Sequence, residues 1–188
     1  MKKFLSLLLV PVLSGCLSAT SPSVAHWLLE FEGFQTPVVS EARYAAARVS
    51  QITVAPPYNS IGLTVLRADG TVAFDAYNEY AAQPSQLLKG VFFEASRRSG
   101  LFGSVVGSSS ATATTVSLEA VVSRLALDCR KNGERRAVAS VLIRIVDRRD
   151  VFVSCAGTGE ADAADGNYGK ALSAAISQAL VEALGKVK

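Results

Sequence analysis

From Val116 onward, apolar and polar residues follow a period of two in three runs, Val116–Leu127, Ala137–Val146 and Val151–Ala156. Val141, Ile143 and Ile145 are set against Ser140 and Arg144, which predicts strands with one buried and one wet face. The connections between the runs, 129–135 with its Asn132-Gly133 and then Asp147–Asp150, are short and predict antiparallel neighbours. The period then changes. Leu172, Ala175, Ile176, Ala179, Leu180, Ala183, Leu184 and Val187 recur at alternating steps of three and one. That spacing predicts an amphipathic helix of about five turns. Asp165 or Asn167 is placed to cap it.

Upstream, His26–Phe31 reads as a first strand, Gly33–Ala47 as mostly loop, and Arg48–Val54 as a strand stopped by Pro56-Pro57. Ile61–Leu66 and Val72–Ala76 form the arms of a hairpin around Ala68-Asp69-Gly70-Thr71. Pro84 suits a first helical position. Behind it Leu87, Leu88, Val91, Phe92 and Ala95 fall on one stripe, with Arg97 and Arg98 in the last turn and Gly100 as the stop. Val105-Val106 is a short strand. Gly107–Thr115, a run of glycine, serine, alanine and threonine, reads as a mobile loop. This order predicts an α+β fold: a mixed, mostly antiparallel sheet with two amphipathic helices packed on one face. The other face, or an edge, is left to water or a partner.

The first residues follow a different logic. Lys2 and Lys3 precede an apolar run from Phe4 to Leu13, and Ser14-Gly15 lead into Cys16. A charged start, a short apolar run and small residues describe a secretory signal peptide. The run is about half the roughly 20 residues a spanning helix needs. Leu13-Ser14-Gly15-Cys16 resembles the lipobox of bacterial lipoproteins. The resemblance implies cleavage before Cys16, a covalent lipid on that cysteine, and, with Leu17-Ser18 and no aspartate following, sorting to the outer membrane. Residues 1–15 are then the signal peptide, 16–24 a small, polar, lipidated tether, and 25–188 a single domain.

Composition narrows the rest. The 188-residue chain less residues 1–15 leaves 173, enough for one domain with a sizeable core. The net charge of +3 falls to +1 without Lys2 and Lys3, which is no nucleic-acid signature. Once lipid takes Cys16, Cys129 and Cys155 are an even pair in an oxidising compartment, which suggests a disulfide. Two buried free thiols are the alternative. If both cysteine-bearing strands flank Ala137–Val146, they stand nearly 10 Å apart, two strand spacings, unless Cys129 bends across in the turn.

The middle of the chain carries a second resemblance. Ile52-Thr53-Val54-Ala55-Pro56-Pro57-Tyr58, the hairpin, Tyr77-Asn78-Glu79-Tyr80, then a proline and a Leu-rich helix ending Ser99-Gly100-Leu101-Phe102 resemble the ABC-transport auxiliary lipoproteins, the group containing PqiC. Over residues 25–188 this implies a non-enzymatic periplasmic body at the outer membrane. Its implied partner is an MCE-type protein that forms a tunnel carrying lipid across the periplasm, with an inner-membrane ABC transporter or related permease at the other end. The resemblance also implies a homo-oligomeric ring. An outer-membrane lipoprotein serving a different envelope assembly is the alternative.

Candidate chemistry is sparse. His26 is the single histidine, and a Ser-His-Asp or Cys-His arrangement needs a base held by a third group. One histidine and two distant cysteines match no zinc spacing, and no phosphate-binding GxxxxGK[ST] loop occurs. No cofactor is expected beyond the lipid on Cys16. Glu30/Glu32 read as a wet strand face, Asp147/Asp150 as turn residues, and Asp162/Asp165 form a third carboxylate pair. Arg130, Lys131, Arg135 and Arg136 crowd one connection and Arg148 and Arg149 the next, at opposite ends of the three-strand run. Solvated turns are the simpler reading of both. Tyr58, Tyr77 and Tyr80 gather around the hairpin and are the candidate partner surface, since tyrosine joins contact area to a hydroxyl.

Overall fold

A computed structural model describes residues 23–131, 134–147 and 150–187. The elements are β1 (Ala25–Trp27), β2 (Tyr44–Val54), β3 (Gly62–Arg67), β4 (Val72–Tyr80), α1 (Pro84–Arg98), β5 (Phe102–Val106), β6 (Val116–Cys129), β7 (Arg136–Asp147), β8 (Asp150–Asp162) and α2 (Tyr168–Gly185). Cys16, the expected signal peptide and the expected tether up to residue 22 lie outside the described residues, as do Asn132, Gly133, Arg148 and Arg149.

β6 is the strand on which the sheet is assembled. One of its edges pairs antiparallel with β7 from Ser117 to Asp128, and β7 pairs antiparallel with β8. Two strands share the opposite edge. β2 runs parallel to Val116–Val122, and β3 runs parallel to Leu127–Cys129. A register shift between Val122 and Arg124 separates these halves. It reverses side-chain parity, so Leu118, Ala120 and Val122 before it and Leu125 and Leu127 after it all enter the core.

The α+β class is as expected, with both helices on one face of a mixed sheet. α2 covers β6, β7 and β8, while α1 packs on β2, β5 and the side of α2. The balance of strand directions differs from expectation. Four of the seven strand pairings are parallel (β1–β4, β2–β5, β2–β6 and β3–β6), and only the long β6–β7–β8 meander and the β3–β4 hairpin are antiparallel. Each parallel pair joins strands with at least two other elements between them in the chain, and short hairpin connections cannot do that.

Several predicted boundaries also move: β4 continues past Ala76 to Tyr80, β5 begins at Phe102, and β8 continues past Ala156 to Asp162. The first strand is only Ala25–Trp27, after which Leu29–Glu32 runs beside α2 instead of along the sheet. The Glu30 N–H donates to Ser173 Oγ (3.0 Å) and the Glu32 N–H to Ser177 Oγ (2.8 Å), so helix side chains replace a strand partner. Both glutamate side chains are exposed. The expected loop before Arg48 gives way at Tyr44, where β2 begins and pairs with β5.

The helices follow their sequence signals. Pro84 opens α1, and Leu88, Val91, Phe92 and Ala95 are buried. Asn167 caps α2 by accepting from the Lys170 N–H. The buried stripe of α2 includes Ala171, Ala175, Ala179 and Ala183. These small residues let α2 lie directly on β8, where Gly157 and Gly159 face the helix backbone.

Glu182 locks the far end of α2 to the same strand. Its carboxylate accepts from the Thr158 N–H at 2.7 Å and from Lys186 Nζ at 2.6 Å, and Lys186 Nζ also donates to the Ala156 carbonyl at 2.9 Å. The Lys186 and Thr158 hydrogen bonds hold the Glu182 carboxyl down to about 2. A carboxylate whose folded pKa lies below its ordinary value contributes stability above that value, and the contribution is lost as pH falls toward the folded pKa. Glu182→Gln should therefore lower the melting temperature at neutral pH and remove part of its decline between pH 4.5 and about 2. Parallel melting curves for the two proteins across that range would refute this.

Candidate docking surface

The three tyrosines expected to form one surface are divided by the fold. Tyr80 belongs to the core at 1 % exposure, Tyr58 is half-buried, and Tyr77 alone stands out, at 55 % exposure. The cause is a bulge in β4. Gly62 pairs with Glu79 and Thr64 with Phe74, so β4 advances five residues while β3 advances two. The odd surplus of three flips parity, placing Tyr80 on the core face while Phe74 and Val72 share the outer face with Thr64 and Leu66. Simple alternation would have put Tyr80 and Phe74 on the same side.

Asp75 organises this bulge. Its Oδ1 accepts from the Tyr77 N–H at 2.9 Å and from the Asn78 N–H at 3.1 Å. Aspartate at the head of such a turn is the one local signal that marks the bulge in the sequence.

Inside, burial pushes the Tyr80 phenol well above its ordinary range. Its hydroxyl finds no hydrogen-bond partner among the described residues. Tyr80→Phe should thus leave the melting temperature unchanged or raise it, since a buried unpaired polar atom costs about 1–3 kcal/mol. A clear loss of stability in that variant would contradict the assignment. Charged substitutions at Tyr80 would unfold the body and report nothing about a surface.

Tyr58 closes a second, smaller core on the outer face of the sheet. Leu66, Ala126 and Val138 are buried there beneath it. The loop carrying Tyr58 contains the cis Pro56-Pro57 bond, and Thr64 Oγ1 donates to the Pro57 carbonyl. The exposed side chains of Val72 and Phe74 stand at the margin of this outer face, next to a stretch of β4 whose outer edge has no strand partner among the described residues. β1 pairs with β4 only from Asn78 to Tyr80.

The expected basic cluster is largely neutralised. Arg130 pairs with Asp128 at 2.5 Å and Arg136 with Glu160 at 3.5 Å. The Arg130 guanidinium holds the Asp128 carboxyl below its usual range. Arg135 turns the other way, over the ring of Tyr168, to whose hydroxyl it also donates. A shallow depression of about 310 Å³ among these residues contains Glu134 and Glu160 as well as Arg130, Lys131 and Arg136, so its charge is mixed. His26 is exposed, 3.9 Å from a Glu79 carboxylate oxygen. Among the described residues no three His, Cys, Asp or Glu side chains gather as a metal site.

The Cys129–Cys155 disulfide is corrected by register. Cys155 faces Ile143, and Ile143 faces Ala120 on β6. Cys129 lies nine residues farther along β6, roughly 30 Å at about 3.3 Å per residue. A bridge requires Cα atoms within about 7 Å. Both thiols are free and half-buried. Lateral spacing alone would have left a bridge within reach of a bend; the offset along the strands removes it.

No family model matches this chain, and no curated protein matches it. Its fold has solved counterparts. The chain shares its architecture with XCC0632 of Xanthomonas campestris, a protein described by the family model DUF330. The TM-score is 0.63 at 15 % identity, covering 88 % of this chain and 92 % of that one. An uncharacterised protein superposes with a TM-score of 0.53 at 14 % identity, over 78 % of this chain and 90 % of its own. A weaker likeness, TM-score 0.45 at 14 % identity over 81 % and 95 %, is to PelC of Paraburkholderia phytofirmans, solved as a dodecamer.

Proposed function

We propose that this chain is an outer-membrane-anchored periplasmic lipoprotein, a non-enzymatic auxiliary component of an MCE/ABC-type lipid transport system that docks a lipid-carrying tunnel to the outer membrane. The observation that carries this reading is the pairing of the Cys16 lipobox with the 25–188 resemblance to the ABC-transport auxiliary lipoproteins, on a fold shared with XCC0632.

The chain geometry supports a division of labour between two ends. The chain approaches β1 from the side of the β3–β4 turn and the β6–β7 connection and enters it level with Gly62, because Ala25 and His26 pair in parallel with Asn78 and Glu79, and Glu79 pairs with Gly62. β7 then runs 12 residues to the opposite end, about 40 Å away at about 3.3 Å per residue. There Val151 and Phe152 stand exposed on β8, whose outer edge has no strand partner among the described residues. Phe152 is 70 % exposed, and the register shift beside it turns it outward. Exposed apolar residues on an open edge suit a protein partner or a second copy. This distal hairpin, rather than the tyrosines, is where the tunnel protein docks in this reading.

Affinity purification of the lipidated protein from solubilised envelopes should recover an MCE-type protein. Phe152→Asp should lower that recovery while leaving membrane attachment intact. Recovery of a different envelope assembly, with no MCE component, would move the chain to the alternative lipoprotein role.

A further inference from the structure

We propose that the outer margin of β4, Val72, Phe74 and Tyr77, is a membrane-contact patch that lies in the headgroup layer of the leaflet holding the Cys16 lipid. The inference rests on the lipoprotein reading above and adds a surface and an orientation to it.

The first argument is where the chain leaves the body. Ala25 pairs with Asn78 in parallel register, so residues upstream of Ala25 depart toward Tyr77 and Phe74. Nine residue steps separate Cys16 from Ala25, which reach at most about 32 Å when fully extended. Phe74 lies close to the exit point, because β3 advances only two residues between the partners of Glu79 and Phe74, about 7 Å at about 3.3 Å per residue. The chain therefore leaves the body beside this patch, which brings the patch within reach of the bilayer.

The second argument is chemical. Val72, Phe74 and Tyr77 are 46 %, 52 % and 55 % exposed, and Val24 beside them is exposed too. They extend the outer-face core of Leu66, Ala126 and Val138 past the cover that Tyr58 provides. Gly62 lies under this margin: a Cβ built on it would come 3.3 Å from Phe74 Cβ. Aromatic rings with aliphatic neighbours suit the boundary between headgroups and acyl chains, where tyrosine keeps its hydroxyl in water.

The third argument weighs against a strand as the occupant. An added strand needs a continuous ladder of free backbone groups. Here Asp75 already holds the Tyr77 and Asn78 N–H groups, and the bulge breaks the run after Phe74. A bulged edge resists extension by another chain. In the headgroup layer, water satisfies what remains of the edge.

Charge contributes little. Arg67, Arg130, Lys131 and Arg136 share this end with Asp69, Asp128, Glu134 and Glu160, and Asp128 and Glu160 are engaged by Arg130 and Arg136. The contact is accordingly apolar and insensitive to salt. Its consequence is orientation: a tether and a second contact point together stop the body from tumbling and aim the Phe152 hairpin away from the membrane.

The test uses the full lipidated chain in phosphatidylethanolamine–phosphatidylglycerol vesicles, with Cys129→Ser and Cys155→Ser as background. An environment-sensitive dye is placed at Phe74→Cys, at Ala164→Cys on the same end, or at Phe152→Cys on the far end. Mass analysis first establishes that Cys16 carries lipid; an unlipidated chain would sink the lipoprotein reading itself. With lipid present, spin-labelled headgroups should quench the dye at position 74 several-fold more than at 164 or 152. The difference should persist in about 1 M salt, where the Debye length is about 3 Å. Equal quenching at 74 and 164 would overturn the proposal. So would a dye at 74 that is shielded only as protein density in the vesicles rises, which would assign the patch to a second copy. Melting curves of the labelled proteins confirm that each is folded.

Discussion

Gly159→Ala should lower the melting temperature on the order of 10 °C, the largest loss expected from adding a single methyl group to this protein. A Cβ built at Gly159 would lie 2.0 Å from the Ala175 carbonyl oxygen and 2.9 Å from the Ala179 nitrogen. Gly157 is in the same position one step along, 2.0 Å from the Ala179 carbonyl oxygen and 2.8 Å from the Ala183 nitrogen. These obstacles are helix backbone, so no side chain can rotate away. The added atom must push α2 off the sheet, and α2 carries much of the core: Leu172, Ile176, Leu180 and Leu184 are all buried. Overpacking a core costs about 1–3 kcal/mol and more when backbone must move. The two substitutions act on one contact, so the double variant should lose less than the two single losses combined. Gly90→Ala serves as the control, because a Cβ there meets nothing within 4 Å and lies within α1. That change should stabilise by about 0.5–1 kcal/mol. A Gly159→Ala protein melting like wild type would mean that α2 does not sit directly on β8.

The second large effect is on location. Cys16→Ser should abolish lipidation and processing and release the protein from the membrane fraction. The argument is energetic. Among the described residues no helix is long and apolar enough to cross a membrane. Each buried acyl CH₂ contributes about 0.8 kcal/mol, so chains attached at one cysteine dominate any contact made by a few exposed side chains. Fractionation and mass spectrometry of the N-terminus read the outcome directly. A wild-type protein without lipid, or a Cys16→Ser protein still processed and membrane-bound, would end the lipoprotein reading. If membrane attachment is lost while the Phe152 hairpin still recovers its partner in solution, anchoring and docking are separate functions, as the two ends of β7 suggest.

Read by pattern alone, the chain yields its element types and most of their limits. Pro84 and the Leu88–Ala95 stripe locate α1, the three-and-one steps from Leu172 locate α2, and Asn167 is its cap. Asp69-Gly70 turns the β3–β4 hairpin, with Gly70 at a φ of 82° and Asp69 accepting from Thr71. These features are legible because each depends on residues a few positions apart, whose preferences act through local backbone geometry. The lipobox resemblance likewise rests on four neighbouring residues, Leu13 to Cys16.

Register and crossing order are another matter. Whether β2 and β3 share one edge of β6, whether Cys155 stands level with Ala120 instead of Cys129, and whether Tyr80 turns inward depend on pairings between residues distant in the chain. A side-chain period of two carries no mark of an odd-residue bulge, and one such bulge in β4 exchanges the faces of Phe74 and Tyr80. The glycines of β8 read as weak points in a strand until α2 is laid across them; only then do they become the contact that admits the helix. Sequence pattern states which residues seek burial. Tertiary packing decides which surface is left over, and here that surface is the margin of β4 toward one end of the sheet and Val151 and Phe152 of β8 at the other.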